Sequence, residues 1–296
     1  MVIKVGLFGY QGSGKTTLFK KYTGKEEENY DPFVPKIGIG RYEDERLKKI
    51  KEVLNPEKVI FPEFEFYDFK GFPEGEGFPP EFFKNFYTLD IIICVVKNFS
   101  DDAKPEEEAN SLIMELIFHD IDKLEGIKQT RDKEGNIEEN KIIEKALEIL
   151  QKDKLLKSLQ ENDKRQLSGI QLLTTKDFLI YLNGNKKKVN LSYSVVSEEE
   201  DIYKKIIEQL SMITFYTIKG DIAQGWIIPE NLSAKQAAGK IHKDIEKGFI
   251  KAAVLPWNNF VEIGDWKKAK NMGVLKFLGP NSIFSDGDVV EFYFSK

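Results

Sequence analysis

One cysteine and two histidines in 296 residues leave little room for metal clusters or nucleophilic triads. A disulfide framework and a cysteine-based zinc site are both excluded. Cys94 lies inside the run Ile91-Ile92-Ile93-Cys94-Val95-Val96, where a small buried hydrophobe fits better than a nucleophile. His119 and His242 have no paired serine or cysteine motif, and both read as structural. Long hydrophobic runs are also missing: no apolar stretch reaches the roughly 18 to 20 residues that span a bilayer. Met1 leads straight into apolar sequence without a signal-peptide pattern, so a cytoplasmic protein with no membrane partner is expected. Nor is there an excess of basic charge. With 44 Lys and Arg against 49 Asp and Glu, the net charge is −5, which argues against a protein that simply coats nucleic acid.

The chain does contain Gly9-Tyr10-Gln11-Gly12-Ser13-Gly14-Lys15-Thr16, a complete G-x-x-x-x-G-K-[ST] phosphate-binding loop. Val2 to Phe8 before it is apolar and β-branched, and Thr17 to Tyr22 after it carries no helix breaker, so the context is strand, loop, helix. Gly9, Gly12 and Gly14 permit backbone conformations closed to other residues, and successive N–H groups, those of Gln11, Ser13 and Thr17 included, can converge on phosphate oxygens. Lys15 is expected to reach the β and γ phosphates, and the Thr16 hydroxyl to ligate Mg²⁺.

The length suggests about two domains. Residues 26–40 read as a turn-rich loop beside the phosphates, followed by a charged helix near Asp44 to Leu54. A strand at Phe64 to Tyr67 delivers Asp68-Phe69-Lys70-Gly71, a D-x-x-G motif, to the nucleotide edge. There Asp68 would hold Mg²⁺ and the Gly71 amide would sense the γ phosphate. Phe72 to Pro80 suits a second switch loop, ahead of a helix at Glu81 to Thr88 and a strand at Asp90 to Val96. Helical spacings of Ile113, Leu116, Ile117, Ile121 and Leu124, then of Ile143, Leu147 and Leu150, flank a polar turn at 131–136. These predict an inserted antiparallel helical hairpin, either a recognition arm or a passive insertion. Strands at Asp177 to Leu182, ending on Asn183, and at Val189 to Val196 resume the α/β pattern. A doubly wound, mostly parallel sheet with its ligand at the strand carboxyl ends is therefore expected. From Met212 the pattern changes to short strands (Ile213 to Ile218, Trp226 to Ile228, Phe249 to Leu255, Val289 to Phe294) around one helix at Ser233 to Glu246. That implies a compact α+β domain. Charge is unevenly spread: residues 101–167 hold 12 basic against 18 acidic residues, and 212–296 hold 11 against 9. Separate surfaces for separate partners are suggested.

Together these pieces resemble the Obg-like ATPase (YchF) family of P-loop proteins. The most specific match is the tail, Gln236-Ala237-Ala238-Gly239-Lys240-Ile241-His242-Lys243-Asp244-Ile245-Glu246-Lys247-Gly248-Phe249-Ile250 with Asp286-Gly287-Asp288-Val289-Val290-Glu291-Phe292, which is similar to the ubiquitin-like TGS domain ending these proteins. The resemblance implies a P-loop nucleotide-binding domain over 1–100 and 168–211, a helical insertion over 101–167 and a TGS-like domain over 212–296. It also implies an ATPase, or ATP and GTP hydrolase, associated with ribosomes.

The chain departs from the family in its switches. Pro32-Phe33-Val34-Pro35-Lys36 lacks the family's first-switch Thr, and Phe72 stands in the hydrophobic place that replaces the water-orienting glutamine of Ras-like enzymes. Slow intrinsic hydrolysis is expected. Four residues that read guanine in N-K-x-D proteins become Asn183 to Lys186 here, without the acidic reader. Asn183 can hydrogen-bond a base of either nucleotide, so ATP is favoured, with GTP open. Lys240, Lys243 and Lys247 recur at helical steps and would share one face, either a salt-dependent RNA contact or a solvated helix surface. The leading expectation is a monomeric, Mg²⁺-dependent nucleoside triphosphatase coupled to a ribosome or RNA partner. The alternatives are a hydrolysis-deficient interaction module and a GTP-binding protein.

Overall fold

The computed structural model describes residues 2–25, 33–134 and 140–295. Its elements run β1 (Ile3–Phe8), α1 (Lys15–Thr23), β2 (Lys36–Arg41), α2 (Glu45–Leu54), β3 (Lys58–Ile60), β4 (Glu63–Asp68), β5 (Ile91–Lys97), α3 (Pro105–Glu134), α4 (Asn140–Leu150) and α5 (Glu161–Leu167). After these come β6 (Asp177–Asn183), β7 (Val195–Ser197), α6 (Ile202–Gln209), β8 (Met212–Lys219), β9 (Ile222–Pro229), α7 (Ala234–Ile241) and α8 (Lys243–Lys247). The chain closes with β10 (Phe249–Pro256), α9 (Trp257–Ile263), α10 (Trp266–Asn271), β11 (Lys276–Leu278) and β12 (Asp288–Phe294). Two units separate by their contacts: Ile3–Gly40 with Glu65–Ile202, and Arg41–Phe64 with the stretch from Tyr203.

The first unit is built on a six-stranded sheet in the order β2-β4-β1-β5-β6-β7. β1, β5, β6 and β7 pair in parallel. Strand β5, Ile-Ile-Ile-Cys-Val-Val-Lys, is buried at six successive positions, the pattern of a strand covered on both faces. Because β1 lies between β4 and β5, the strand order reverses beside it, and the carboxyl ends of β1, β4, β5 and β6 meet at one edge. A 3-10 helix at Pro80–Thr88 brings Phe82, Phe83 and Phe86 against Phe8, Phe69 and Phe78. Ring centroids there are 4.3 Å apart for Phe69 and Phe86 and 4.8 Å for Phe8 and Phe78, distances at which aromatic pairs add to simple burial.

The apolar face of the helical pair belongs to this same core. Leu112, Ile113, Leu116, Ile117 and Leu124 of α3 and Ile143, Ala146, Leu147 and Leu150 of α4 join Phe8, Ile92 and Val96 in one buried cluster. Asp120, fully buried on α3, accepts hydrogen bonds from the backbone N–H of Leu173 at 3.0 Å and of Thr174 at 2.8 Å, and from the Thr174 hydroxyl at 2.6 Å. Residues 131–134 of the predicted polar turn are the end of α3, and residues 135 and 136 lie outside the described residues.

Several sequence expectations need correction. Of the predicted first loop at 26–40, residues 26–32 lie outside the described residues, and its end is strand β2. Its inward positions are Gly38 and Gly40, while Ile37 and Ile39 face out, so the hydrophobic alternation points the wrong way. A Cβ on Gly38 would press on Phe19 and Thr23. The predicted strand at Val189 to Val196 shortens to β7. The single helix expected over Ser233 to Glu246 breaks at His242, whose extended backbone (φ −161, ψ 137) caps α7 and begins α8. Lys240 therefore lies on α7 and Lys243 and Lys247 on α8, and no continuous helical face carries all three.

In the second unit the sheet order is β11-β10-β12-β8-β9-β3. β8 and β9 are antiparallel, β12 joins β8 in parallel, and β10 pairs antiparallel with both β12 and β11. Alternate residues of β8 enter different cores: Ile213 and Phe215 pack with α7, whereas Tyr216 packs with Leu47 and Ile50 of α2 and Phe260 of α9. That is the period of a strand with both faces covered. Asp44 caps α2 and accepts from the Tyr216 hydroxyl at 2.6 Å and from the Arg46 guanidinium at 2.8 Å. No described helix is long and apolar enough to cross a membrane.

Candidate nucleotide site

At the carboxyl edge of the first sheet, the loop after β1 turns through Gly12 (φ 80) and Gly14 (φ 95) into α1. Gly14 needs its positive φ, and a Cβ there would also collide with the Asn183 side chain. A cavity of about 520 Å³ opens over this loop, lined by Gln11, Gly12, Gly14, Lys15, Thr16, Thr17, Lys70, Gly71, Phe99 and Asn183. Residues from four strand ends, more than 170 positions apart in sequence, meet there. The N-terminus of α1 faces it, and such a terminus with its free N–H groups favours anions.

Lys15 is buried, and its ammonium donates to the Tyr10 carbonyl at 2.7 Å. Burial lowers its pKa to about 8, with Asp68 and Glu108 pulling the other way, so the ammonium stays largely charged at neutral pH. Gly71 approaches so closely that a Cβ on it would stand 2.6 Å from Lys15 Nζ and 2.7 Å from the Gln11 nitrogen. The Gln11 N–H donates to the Phe72 carbonyl at 2.9 Å. The start of the second switch thus lies directly on the phosphate loop. Glu108, on the first turn of α3, is nearly buried and accepts from the Lys97 N–H at 3.0 Å. Desolvation raises its pKa to about 7 against that hydrogen bond.

The Thr16 hydroxyl donates to Asp68 Oδ2 at 2.9 Å, and Asp68 is fully buried. One hydroxyl and one carboxylate beside a phosphate cradle are hard oxygen donors of the kind Mg²⁺ takes. That ion relies on few protein ligands and completes its shell with phosphate and water. No group of three His, Cys, Asp or Glu able to hold a metal occurs among the described residues. Thr16 and Asp68 are the residues that would hold the ion.

At the far end, Asn183 Nδ2 donates to the Ser13 carbonyl at 2.8 Å, bracing the loop and leaving its amide oxygen for a ligand. Buried Asn98 holds the following turn through Gly184 and Lys187. Lys186 pairs with Asp101 at 3.2 Å.

Of the expected site residues, Gln11, Gly12, Gly14, Lys15, Thr16, Thr17, Gly71 and Asn183 line the cavity. Gly9 and Ser13 are buried beneath the loop. Asp68 sits behind Thr16. The Phe72 ring turns into the aromatic core, 5.4 Å from Phe78 and 5.5 Å from Phe82. Lys70 and Phe99 line the cavity without having been anticipated: one fills a variable place of D-x-x-G, the other simply follows a strand. Glu108 left no sequence signal at all. His119 bonds the Tyr87 hydroxyl at 2.7 Å, His242 accepts from the Asp244 N–H at 3.1 Å, and Cys94 is fully buried with its thiol pushed up to about 12.

Residues 212–295 match the sequence profile of the YchF GTPase C-terminal family, described as a protein of unknown function (DUF933). The Ribosome-binding ATPase YchF of Mycoplasma genitalium is 28% identical over 367 aligned positions, which cover 99% of this chain and all of that protein. The protein of the same name from Bacillus subtilis is 26% identical, with full coverage of both. From end to end, the chain is similar to YchF-family proteins. It also shares its fold with a solved structure, the Schizosaccharomyces pombe YchF GTPase: TM-score 0.78, 21% identity, 98% of this chain and 97% of that one. At 296 residues, the chain spans a relative aligned over 367 positions, so it does so with deletions.

Proposed function

We propose that this chain is a Mg²⁺-dependent nucleoside triphosphatase, ATP-preferring and slow by itself, whose nucleotide state is coupled to a ribosomal partner. The observation that carries the reading is the single cavity shared by Lys15, Thr16, Gly71 and Asn183, with Asp68 behind Thr16. Lys15 would hold the β and γ phosphates, Thr16 and Asp68 the ion, and the Gly71 amide the γ phosphate. Mg²⁺ supplies charge neutralisation across the phosphates when bound. Preference for ATP is supported by the missing acidic guanine reader: the fourth place of the stretch that Asn183 begins is Lys186, already paired with Asp101. Slow turnover is supported by Phe72, an apolar side chain that cannot orient water and is directed into the core. The ribosomal partner is supported by the names of the Mycoplasma and Bacillus relatives, both ribosome-binding ATPases. A TGS-like, ubiquitin-like domain over 212–296 is supported by the strand order β9-β8-β12-β10-β11 with α7 packed on it. Lys240, Lys243 and Lys247 remain candidate RNA contacts, as separate charges on two short helices.

A titration of labelled ATP and GTP, each with and without Mg²⁺, against the chain and its Lys15→Ala variant tests the core of this reading. Binding of ATP that is strengthened by Mg²⁺ and lost in Lys15→Ala is the expected result, and an unchanged titration in the variant would sink it. A second reading, a nucleotide-stabilised module without useful hydrolysis, is favoured by the absence of any Thr or Ser from Gly24 to Gly40. Acceleration of single-turnover hydrolysis by added ribosomes rules that module out.

A further inference from the structure

Two cations, Lys15 and Lys70, are among the residues lining the cavity. Lys15 is committed to the Tyr10 carbonyl and has two carboxylates, Asp68 and Glu108, among its electrostatic neighbours. Lys70 is the other cation on the phosphate side. It is exposed, lines the same cavity and makes no ion pair among the described residues; its one aromatic neighbour is Phe72, 6.0 Å from the ring centre. Its backbone position is well determined. The next residue, Gly71, lies against Lys15 Nζ and the Gln11 amide, and the residue after that is tied to Gln11 at 2.9 Å. A lysine rooted at this place stands across the cavity from the loop, with a long flexible stem and an uncommitted charge.

We propose that Lys70 is a γ-phosphate ligand, supplied in cis by the second switch, that lets this chain tell a triphosphate from a diphosphate and offsets charge on the γ oxygens during hydrolysis. The proposal rests on the nucleotide-hydrolase reading above. In the reaction a water oxygen forms a bond to the γ phosphorus, and the bond from that phosphorus to the β,γ-bridging oxygen breaks. Its electron pair leaves on the nucleoside diphosphate, and both of the water's protons end on inorganic phosphate. Lys70 exchanges no proton. Its ammonium donates to the γ oxygens, where a charge-assisted hydrogen bond is stronger than a neutral one and where added positive charge in P-loop enzymes acts mainly on the transition state. Such a residue suits a chain without a glutamine at 72 or a Thr or Ser from Gly24 to Gly40.

Equilibrium titrations with labelled ADP and with a non-hydrolysable ATP analogue, both with Mg²⁺, test it on the full chain and on Lys70→Met, Lys70→Arg and Lys15→Ala. Lys70→Met is expected to weaken the triphosphate analogue about tenfold, the loss of one charge-assisted contact, and to leave ADP unchanged, while Lys70→Arg keeps most of the discrimination. Because the side chain is exposed, folding of the variants should match the parent by circular dichroism. Equal loss for both nucleotides, or no loss for either while Lys15→Ala fails to bind, would overturn the Lys70 assignment and leave the hydrolase reading standing. Absence of binding by the parent chain would overturn both.

Discussion

Glu108 shows how far a single side chain can be displaced from ordinary chemistry by its surroundings. Its carboxyl is nearly buried, takes one backbone hydrogen bond from Lys97, and still titrates near 7 because desolvation outweighs that bond. The folded state therefore binds the proton more tightly than the unfolded chain between about pH 4.5 and 7, and stability falls as pH rises through that window. Glu108→Gln keeps an oxygen for the Lys97 N–H and removes the buried charge. The variant should be more stable than the parent at pH 8 by about 1 to 3 kcal/mol and equal to it below pH 4.5, as read by urea denaturation at the two pH values. Lys15 shifts in the opposite sense. Its pKa near 8 lies below the value of 10.5 for a free lysine, so nucleotide affinity that depends on the ammonium should decline as pH climbs past 8, unless the bound phosphates hold the proton on. A titration repeated at pH 7 and pH 9 measures this, and Lys15→Arg, charged throughout, should show no such decline in whatever affinity it retains.

At the level of elements, a charged residue anchors the helical insertion. Helix α3 is 30 residues long, and its apolar stripe is legible from the spacing of Ile113, Leu116, Ile117 and Leu124. Asp120 sits in the middle of that stripe and would pass for a solvated residue in any periodic reading. In the fold its two oxygens receive three hydrogen bonds from Leu173 and Thr174, fastening α3 to the turn before β6. Asp120→Ala leaves two backbone N–H groups and a hydroxyl without their acceptor, which should cost about 3 kcal/mol, checked by equilibrium unfolding. The C-terminal helices teach the converse. Gln236 to Glu246 carries no proline, and the run of lysines suggests one helix, yet His242 turns extended and its ring accepts from Asp244. Packing of Ala234 and Ala237 against Phe215 and Ile228 sets the direction of α7, and the chain has to turn to enter β10. Strand β2 was hidden for a related reason: its core-facing residues are glycines, so no hydrophobic alternation marks it.

On the scale of the whole chain, the second unit is assembled from two distant stretches of sequence. Leu47 and Ile50 of α2 are completely buried in a cluster with Tyr216, Leu255 and Phe260, and β3 extends the sheet beside β9. A fragment beginning at Tyr203 would lack both. It should bind a hydrophobic dye and melt without a sharp transition, and a peptide of residues 41–64 should restore cooperativity. All three tryptophans, Trp226, Trp257 and Trp266, report on this unit, so their fluorescence follows the experiment directly; a sharp melt of the bare fragment would refute the expectation. Local sequence was sufficient for the phosphate loop, the D-x-x-G motif, the buried strands and the helical pair, because each is written in contiguous residues whose spacing states its own conformation. It also showed what the switches lack. The tertiary structure alone decided that Lys70 and Phe99 share a cavity with Lys15, that Glu108 is buried beside it, that Asn183 braces the loop 170 residues earlier, and that α2 completes a core made mostly from the other end of the chain. Those facts depend on distances between segments, and short-range periodicity carries no information about which strand ends converge.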